Sequence, residues 1–228
     1  MLCLASRALS RRNGLSNGLR MDLFSTAVWS VASASSNIFQ QEMHWCQLMQ
    51  MTGFTSIASG SLKGHGYSKD LLSECIYDAK RSGRKGLCIL SAEGRKREFL
   101  ADREFLTHQG FSVSDVSDCG INLMALPFSP DAPLPEFRKC AKHPQCLESG
   151  FVIFYTDQCP FTYYWVPRVQ EAAAAYDIPL RVVHITDKEA AQNLSSPVTT
   201  YALFYDGEFV TQSIQSDKKL LKLAERLL

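Results

Sequence analysis

The chain has 228 residues, a formal net charge of +1, and 46% hydrophobic and 21% charged residues. This length suffices for one large core or two small ones. The near-neutral charge, without a basic run interleaved with aromatic residues, argues against a nucleic-acid partner, and no apolar run is long enough to span a bilayer. The eight cysteines are scattered without a regular disulfide framework, which is typical of a reducing cytoplasm.

Residues 1–50 contain no motif that assigns them to a domain. Their first part is rich in serine, has no acidic residue before Asp22, and carries four arginines, Arg7, Arg11, Arg12 and Arg20. This composition resembles a mitochondrial transit peptide. A disordered start and a true start at Met21 are the alternatives.

Residues 54–92 predict a strand, a glycine-rich turn, an amphipathic helix and a second strand. Gly64 and Gly66 lie in the turn, and from Tyr67 onward apolar residues recur at helical spacing, namely Leu71, Leu72, Cys75, Ile76 and Ala79. Gly83 lies where the helix should end, before the apolar run 87–90.

The start of this helix is a candidate site for a phosphorylated ligand. The first amide hydrogens of a helix have no internal partners, and the helix dipole favours negative charge there. Glycine also allows a phosphate to approach the backbone closely. A plain strand-to-helix turn is the alternative interpretation of residues 62–67.

The stretch resembles motif A of the GNAT superfamily of N-acetyltransferases, which holds the pyrophosphate of acetyl-CoA. Gly64 and Gly66 match its two small positions, whereas Ser61 stands where the family has Gln or Arg. The sequence segments SGSLKGHGYS, KGLCILS and FLTHQGF are similar to segments of acetyltransferases that carry a C-terminal YoaP domain. The resemblance extends from about Thr52 to the C-terminus.

This resemblance implies that residues 51–128 form the C-terminal half of a GNAT-like α+β domain with a mixed sheet, its N-terminal part missing or divergent. It implies acetyl-CoA as substrate and an amine as acceptor, whose identity no residue reveals. The pyrophosphate would be held by Ser61, Lys63, Gly64, His65, Gly66 and Tyr67.

Residues 99–128 predict a helix and two strands. The helix spans 99–109 and ends at Gly110, and strands follow at 111–116 and 121–128. The family often has a tyrosine four residues before the Gly-Phe pair, where it protonates the departing thiolate, but here Leu106 occupies that position. Tyr67, His65, a water or another group would have to take this role, or transfer would be slow.

Residues 129–149 predict an interdomain linker, because prolines 130, 133, 135 and 144 oppose regular structure. Cys140, His143 and Cys146 lie here and could form a metal site with Cys119. Their spacing does not follow a paired zinc-knuckle pattern, so we expect an ordinary linker and no metal.

Residues 150–228 predict the order β-α-β-α-β-β-α. The order resembles a thioredoxin-like α/β domain, and this region is identified as a YoaP domain. Cys159 matches the first position of a Cys-x-x-Cys frame, Thr162 replaces its second cysteine, and Pro167 matches a helix-kinking proline. The run 199–207 matches the family's strand signature, with Thr199 at the usual cis-proline position and Pro197 two residues earlier.

Cys159 is a candidate nucleophile or monothiol redox residue, because a helix N-terminus favours the thiolate. Without a resolving cysteine in the frame, a disulfide cycle within it is excluded. The alternative is a vestigial cysteine in a binding module. His184 is expected to be a core or surface residue, and the aromatic residues 161 and 163–165 are expected to pack the helix or to line a groove beside the thiol.

Three functions follow from these observations. The first is acetyl transfer from acetyl-CoA to an amine. The second is thiol redox or thiol-binding chemistry at Cys159. The third is a non-catalytic module that binds CoA.

Overall fold

The computed structural model describes residues 45–47, 67–92 and 100–227. These form a mixed α/β structure with two four-stranded sheets, ordered β1-β2-β4-β3 and β6-β5-β7-β8. The elements are, in chain order, β1 Trp45–Gln47, α1 Tyr67–Arg81, β2 Gly86–Ala92, α2 Arg103–His108, β3 Ser112–Ser117, β4 Ile121–Pro127, α3 Lys139–Lys142, β5 Phe151–Tyr155, α4 Pro160–Ala175, β6 Leu180–His184, α5 Lys188–Gln192, β7 Tyr201–Tyr205, β8 Glu208–Thr211 and α6 Asp217–Leu227.

The chain divides into two compact units. Of the described residues, 45–47, 67–92, 100–115 and 122–136 belong to the first unit, and 116–121 and 137–227 belong to the second. The tip of the β3–β4 hairpin is therefore assigned to the second unit, although the strands belong to the first sheet.

The first unit buries one face of α1 against the sheet. Leu72 and Ala79 on α1 pack in one core cluster with Leu87 and Ile89 of β2. All seven positions of β2 are buried, as expected for a central strand covered on both faces. Gly83 ends the helix with a φ of +68°, a left-handed conformation that glycine adopts without steric cost.

The register of β2 and β4 follows from one hydrogen bond at the end of the sheet. The amide of Phe128, just after β4, donates to the carbonyl oxygen of Lys85, just before β2, over 2.9 Å. The end of β4 therefore lies beside the start of β2, and the two neighbouring strands run antiparallel. Counting inward from this bond places Ile89 opposite Met124, and both belong to the same core cluster. The next pair on that face is Ser91 and Asn122.

The Pro-rich stretch 129–149, predicted as a linker, packs against both units in turn. Its residues up to Glu136 belong to the first unit, where the Ser114 hydroxyl donates to the Pro135 carbonyl over 2.8 Å. From Phe137 onward it belongs to the second unit and includes α3, where the Ser117 hydroxyl donates to the Ala141 carbonyl over 2.8 Å. The prolines leave the first part without helix or strand, but they do not prevent its packing.

The second unit has a sheet with one parallel and two antiparallel pairings. β5 runs parallel to β6 and antiparallel to β7, and β7 pairs antiparallel with β8. Its larger core cluster joins β5 and β7 to α4 and α6, with Phe151, Leu203 and Leu220 among its members. The elements follow the order predicted from the sequence.

The β7–β8 turn has two residues with positive φ, Asp206 at 46° and Gly207 at 89°, as the tight hairpin type favoured by Asp-Gly requires. A Cβ atom on Gly207 would lie 2.8 Å from the carbonyl oxygen of Cys146. The Asp206 carboxylate accepts a hydrogen bond from the Gly150 amide over 2.7 Å. The turn is thus fixed by contacts on both sides.

Candidate functional site

The predicted pyrophosphate site lies mostly outside the described residues. Ser61, Lys63, Gly64, His65 and Gly66 precede the described segment that begins at residue 67. Tyr67 is the first residue of α1. A helix of 15 residues therefore starts directly after Gly66 in the sequence.

The start of α1 lies at the same end of the sheet as the C-terminal end of β2. Only residues 82–85 connect the end of α1 to the start of β2, so the helix runs back along the strand. A 15-residue helix and a 7-residue strand have similar lengths, about 22 and 23 Å. Ser91 therefore lies towards the end of the sheet at which α1 begins.

Ser91 and Asn122 are fully buried polar side chains at this end of the sheet. Both are 0% exposed, and within the described part of the chain neither the Ser91 hydroxyl nor the Asn122 amide has a hydrogen-bond partner. Leaving a buried polar group unpaired costs about 1–3 kcal/mol. Such groups in a native protein require an explanation, such as a bound ligand or water.

Sequence reasoning missed this pair. The available signal is strand alternation, since Ser91 has the same parity as Leu87 and Ile89, which the structure places in the core. Strand alternation therefore predicts a serine and an asparagine at core positions of these two strands. Their pairing depends on a register that the sequence does not fix.

Leu106, at the position of the family's tyrosine, is a core residue. Its side chain is 3% exposed and belongs to the cluster formed with α1 and β2. It lies in α2, which Asp102 caps by accepting a hydrogen bond from the Phe105 amide over 2.9 Å. Leu106 therefore contributes packing to this unit and has no group that transfers a proton.

Cys159 is the N-cap residue of α4 and carries a free thiol that is 7% exposed. It belongs to the larger core cluster, together with Val166 and Tyr201. Pro160 is the first helical residue. The structure thus places the predicted cysteine at the helix start, where it is largely enclosed by apolar neighbours.

Thr162, which occupies the second position of the Cys-x-x-Cys frame, holds the turn before α4. It is 0% exposed, and its hydroxyl lies 3.0 Å from the carbonyl oxygen of Thr156 and 2.6 Å from that of Cys159. The Thr162 amide also donates to the Cys159 carbonyl over 3.1 Å. The residue that replaces the second cysteine therefore has a structural role here.

A histidine–aspartate contact lies at the carboxyl ends of β5 and β6. Nε2 of His184 is 3.0 Å from a carboxylate oxygen of Asp157, and the His184 ring stacks on Tyr155 with centroids 4.5 Å apart. Burial, and secondarily the charge of Asp157, raises the pKa of Tyr155. His184 is an exposed surface residue, which is one of the two predicted outcomes.

Tyr201 pairs with Tyr155 across β5 and β7 and is 1% exposed. Burial raises the pKa of Tyr201, and the backbone of Gln215 beside the hydroxyl opposes this effect in part. Tyr201 is therefore a neutral core residue at physiological pH.

The aromatic residues after Cys159 are mainly exposed. Phe161 is 55%, Tyr163 84% and Tyr164 48% exposed. The guanidinium of Arg168 lies 3.7 Å from the centre of the Tyr164 ring, within the range of a cation–π interaction. These residues cover the outside of the first turn of α4 and do not fill the core.

In residues 45–47, 67–92 and 100–227 no cluster of His, Cys, Asp or Glu could hold a metal ion. His143 instead lies 2.7 Å from the carboxylate of Asp118, and the sulfur of Cys119 lies 3.3 Å from the Ser117 hydroxyl. Over the same residues no helix has the length and hydropathy of a membrane-spanning segment.

The first unit thus has a 15-residue helix that begins at Tyr67, and the second has a free cysteine at the start of a helix. The chain is 34% identical over 169 residues to the "Uncharacterized N-acetyltransferase YoaP" of Bacillus subtilis (strain 168), an alignment that covers 74% of this chain and 67% of that protein. The family described as YoaP-like matches residues 179–222. No solved structure matches the chain. The chain therefore belongs to the YoaP-like family of acetyltransferase-related proteins.

Proposed function

We propose that this protein is a cytoplasmic N-acetyltransferase of the GNAT type, which transfers an acetyl group from acetyl-CoA to an amine. The observation that carries the proposal is the similarity to an N-acetyltransferase along 74% of the chain. The start of α1 at Tyr67, directly after Gly64 and Gly66, adds support, because open amides at a helix N-terminus bind phosphate.

In this proposal the turn before α1 binds the pyrophosphate of acetyl-CoA. Backbone amides around Gly64 and Gly66 donate to phosphate oxygens, and Lys63 adds a positive charge. Ser61, His65 and Tyr67 complete the predicted set. The thioester then extends along the sheet end at which α1 begins.

In the reaction the neutral amine nitrogen attacks the thioester carbonyl carbon, and the tetrahedral intermediate expels the CoA thiolate. The nitrogen loses a proton and the thiolate gains one, so the products are an amide and free CoA. Because the buried Leu106 side chain has no acidic proton to donate, we propose that Tyr67 or a water protonates the thiolate. Positioning and stabilisation of the oxyanion supply most of the acceleration in such a reaction.

The test is the release of free CoA from acetyl-CoA by the full chain with a panel of primary amines. We expect acceptor-dependent release that Gly64→Asp abolishes. Ser73→Asp is the matched control, because it adds the same charge at an exposed position of α1. Binding of acetyl-CoA without release by any amine would instead favour a non-catalytic CoA-binding module.

The second unit supports a further candidate function, thiol chemistry at Cys159. We propose that this unit is thioredoxin-like, supported by its β6-β5-β7-β8 order and its parallel β5–β6 pair. The Cys159 thiolate would attack a disulfide, forming a mixed disulfide and releasing one thiol of the substrate. The free thiol at the start of α4 favours this candidate, whereas its 7% exposure restricts access to it.

Alkylation of the full chain with iodoacetamide, followed by mass spectrometry of the Cys159 peptide, tests this candidate. A monothiol redox site predicts modification of Cys159 faster than of the partly buried Cys140 and Cys146. Equal or slower modification of Cys159 would identify it as a packing residue. Cys159→Ser should leave acetyl transfer unchanged in either case.

A further inference from the structure

We infer that His184 is a positioning residue for the Cys159 thiol and that it acts by holding the carboxylate of Asp157. The inference rests on the thiol chemistry proposed for the second unit and adds to it the side chains that set the charge around the thiol. It starts from the turn of residues 156–159, which leads from β5 into α4.

This turn is tightly folded, so Asp157 lies close to the start of α4. The hydroxyl of Thr162 lies 3.0 Å from the carbonyl oxygen of Thr156 and 2.6 Å from that of Cys159. The chain therefore doubles back between these two carbonyl groups, and Cys159 at its end is the N-cap residue of α4. A carboxylate in this turn is a like charge beside the thiolate, and a nearby like charge disfavours the charged form of a thiol.

The contact with His184 holds that carboxylate on the β6 side of the turn. Nε2 of His184 lies 3.0 Å from a carboxylate oxygen of Asp157, and the two side chains are 37% and 70% exposed. A hydrogen on Nε2 donates to the carboxylate whether the ring is neutral or charged. On the β7 side, the Thr200 hydroxyl donates to the side-chain oxygen of Gln158 over 3.1 Å. Because β6 and β7 flank β5, the turn is held from both sides.

The imidazole ring is itself held in place by Tyr155. His184 and Tyr155 are register partners in the parallel pair β5–β6, and their rings stack with centroids 4.5 Å apart at an interplanar angle of 6°. Tyr155 also packs against the core cluster that contains Cys159. Within the described part of the chain, the titratable groups that contact His184 are Tyr155 and Asp157. Burial, and secondarily Asp157, raises the pKa of Tyr155, so the negative charge at this contact is that of Asp157.

This arrangement predicts what the loss of His184 does to the thiol. The Asp157 side chain would then be free to turn towards the start of α4, where the helix dipole attracts a negative charge. Its charge there would oppose the thiolate, which is the reactive form of a cysteine. A purely structural role predicts a different result, because a loosened turn would change access to Cys159 whether or not residue 157 is charged.

The test is the rate at which iodoacetamide alkylates Cys159 in the full chain at neutral pH, followed by mass spectrometry of its peptide. We expect His184→Ala to lower this rate about 3- to 10-fold, as one like charge a few ångströms away would. Asp157→Asn should react as fast as the unmodified chain or faster. Adding His184→Ala to Asp157→Asn should then have no further effect, because the charge that His184 holds is gone.

His143→Ala is the matched control. Nδ1 of His143 lies 2.7 Å from a carboxylate oxygen of Asp118, and this pair belongs to the second unit but lies outside the turn before α4. The control should leave the alkylation rate of Cys159 unchanged. His184→Gln, which keeps a nitrogen donor on the side chain, should retain most of that rate.

The possible outcomes separate the inference from the proposed thiol chemistry. If Cys159 of the unmodified chain reacts no faster than Cys140 and Cys146, the thiol chemistry fails and the inference fails with it. If Cys159 reacts faster but His184→Ala does not slow it, only the inference is overturned. An unfolded variant would expose Cys159 and react faster, which also contradicts the expected result. An equal loss of rate in the Asp157→Asn background would overturn the inference too, because His184 would then act through packing alone.

Discussion

The starts of α1 and α4 differ in the residues that precede them and in what they offer a ligand. α1 begins at Tyr67, shortly after Gly64 and Gly66 in the sequence. α4 begins with Pro160, which has no amide hydrogen, and the Thr162 amide donates to the Cys159 carbonyl. The dipole of both helices favours an anion at the start, but Pro160 removes one amide hydrogen from the start of α4.

Both units contain buried polar side chains without a hydrogen-bond partner among the described residues. These are Ser91 and Asn122 in the first unit, and the hydroxyls of Thr156 and Tyr201 in the second. Thr162 differs from them, because it is fully buried and its hydroxyl reaches two carbonyl oxygens of the turn before α4.

The largest expected effect is that of Gly64→Asp on acetyl-CoA affinity. The new side chain would occupy the space of a phosphate and add a like charge, so we expect a loss of about 100-fold or more. Calorimetric titration measures it, with Ser73→Asp as control. An unchanged acetyl-CoA affinity in Gly64→Asp would mean that the ligand does not bind at the start of α1, and the proposed difference between α1 and α4 would then be wrong.

Gly207→Ala should destabilise the second unit without changing acetyl-CoA affinity. Its φ of +89° and the 2.8 Å approach of a Cβ atom to the Cys146 carbonyl indicate a loss of about 1–3 kcal/mol. Urea denaturation followed by tryptophan fluorescence measures this loss. An unchanged unfolding midpoint would show that the turn relaxes, and a changed affinity would show that the two units act together.

Thr162→Val tests the polar contacts that hold the turn before α4. Removal of the hydroxyl leaves the buried Thr156 carbonyl without this donor, so we expect a loss of about 1–2 kcal/mol in urea denaturation. Thr162→Ser, which keeps the hydroxyl, is the control and should lose less. An equal or larger loss in Thr162→Ser would mean that the hydroxyl contacts stabilise the turn no more than the packing of the methyl group does.

Tyr201→Phe should reduce the loss of stability at alkaline pH. Burial raises the pKa of Tyr201 in the folded protein above its ordinary value of 10.0. Below that value the tyrosine is neutral in both states, and above it the unfolded chain ionises first. The free energy of unfolding should then fall by about 1.4 kcal/mol per pH unit from this residue.

The measurement is the difference in unfolding free energy between Tyr201→Phe and the unmodified chain, taken between about pH 9 and about pH 11. This difference should move in favour of the variant as the pH rises. A difference that does not depend on pH would mean that Tyr201 ionises over the same pH range in the folded protein as in the unfolded chain.

Much of the fold follows from local sequence signals. Apolar spacing predicted the helix from Tyr67, Gly83 marked its end, and Asp206-Gly207 marked the β7–β8 turn, as the structure has them. The helix predicted over 99–109 is shorter in the structure, at Arg103–His108, because Asp102 caps it and fixes its start. Local signals of this kind depend on backbone preferences and periodicity, which neighbouring residues determine.

The parts that sequence reasoning missed depend on long-range pairing. The Ser91–Asn122 pair needs the antiparallel register of β2 and β4, and the contact between Asp157 and His184 needs the parallel pairing of β5 and β6. The packing of residues 129–149 also depends on distant partners such as Ser114, Ser117 and Gly207. The prolines predict that the segment lacks regular structure, but they do not predict whether it packs against other residues.

Hydrogen–deuterium exchange of the full chain, with and without saturating acetyl-CoA, compares the two helix starts in one experiment. We expect slower exchange in peptides that span residues 61–70 and 86–92, and unchanged exchange in peptides that span 156–166. Slower exchange at 156–166 with none at 61–70 would place the ligand at the start of α4 and contradict the assignment of acetyl-CoA to the first unit.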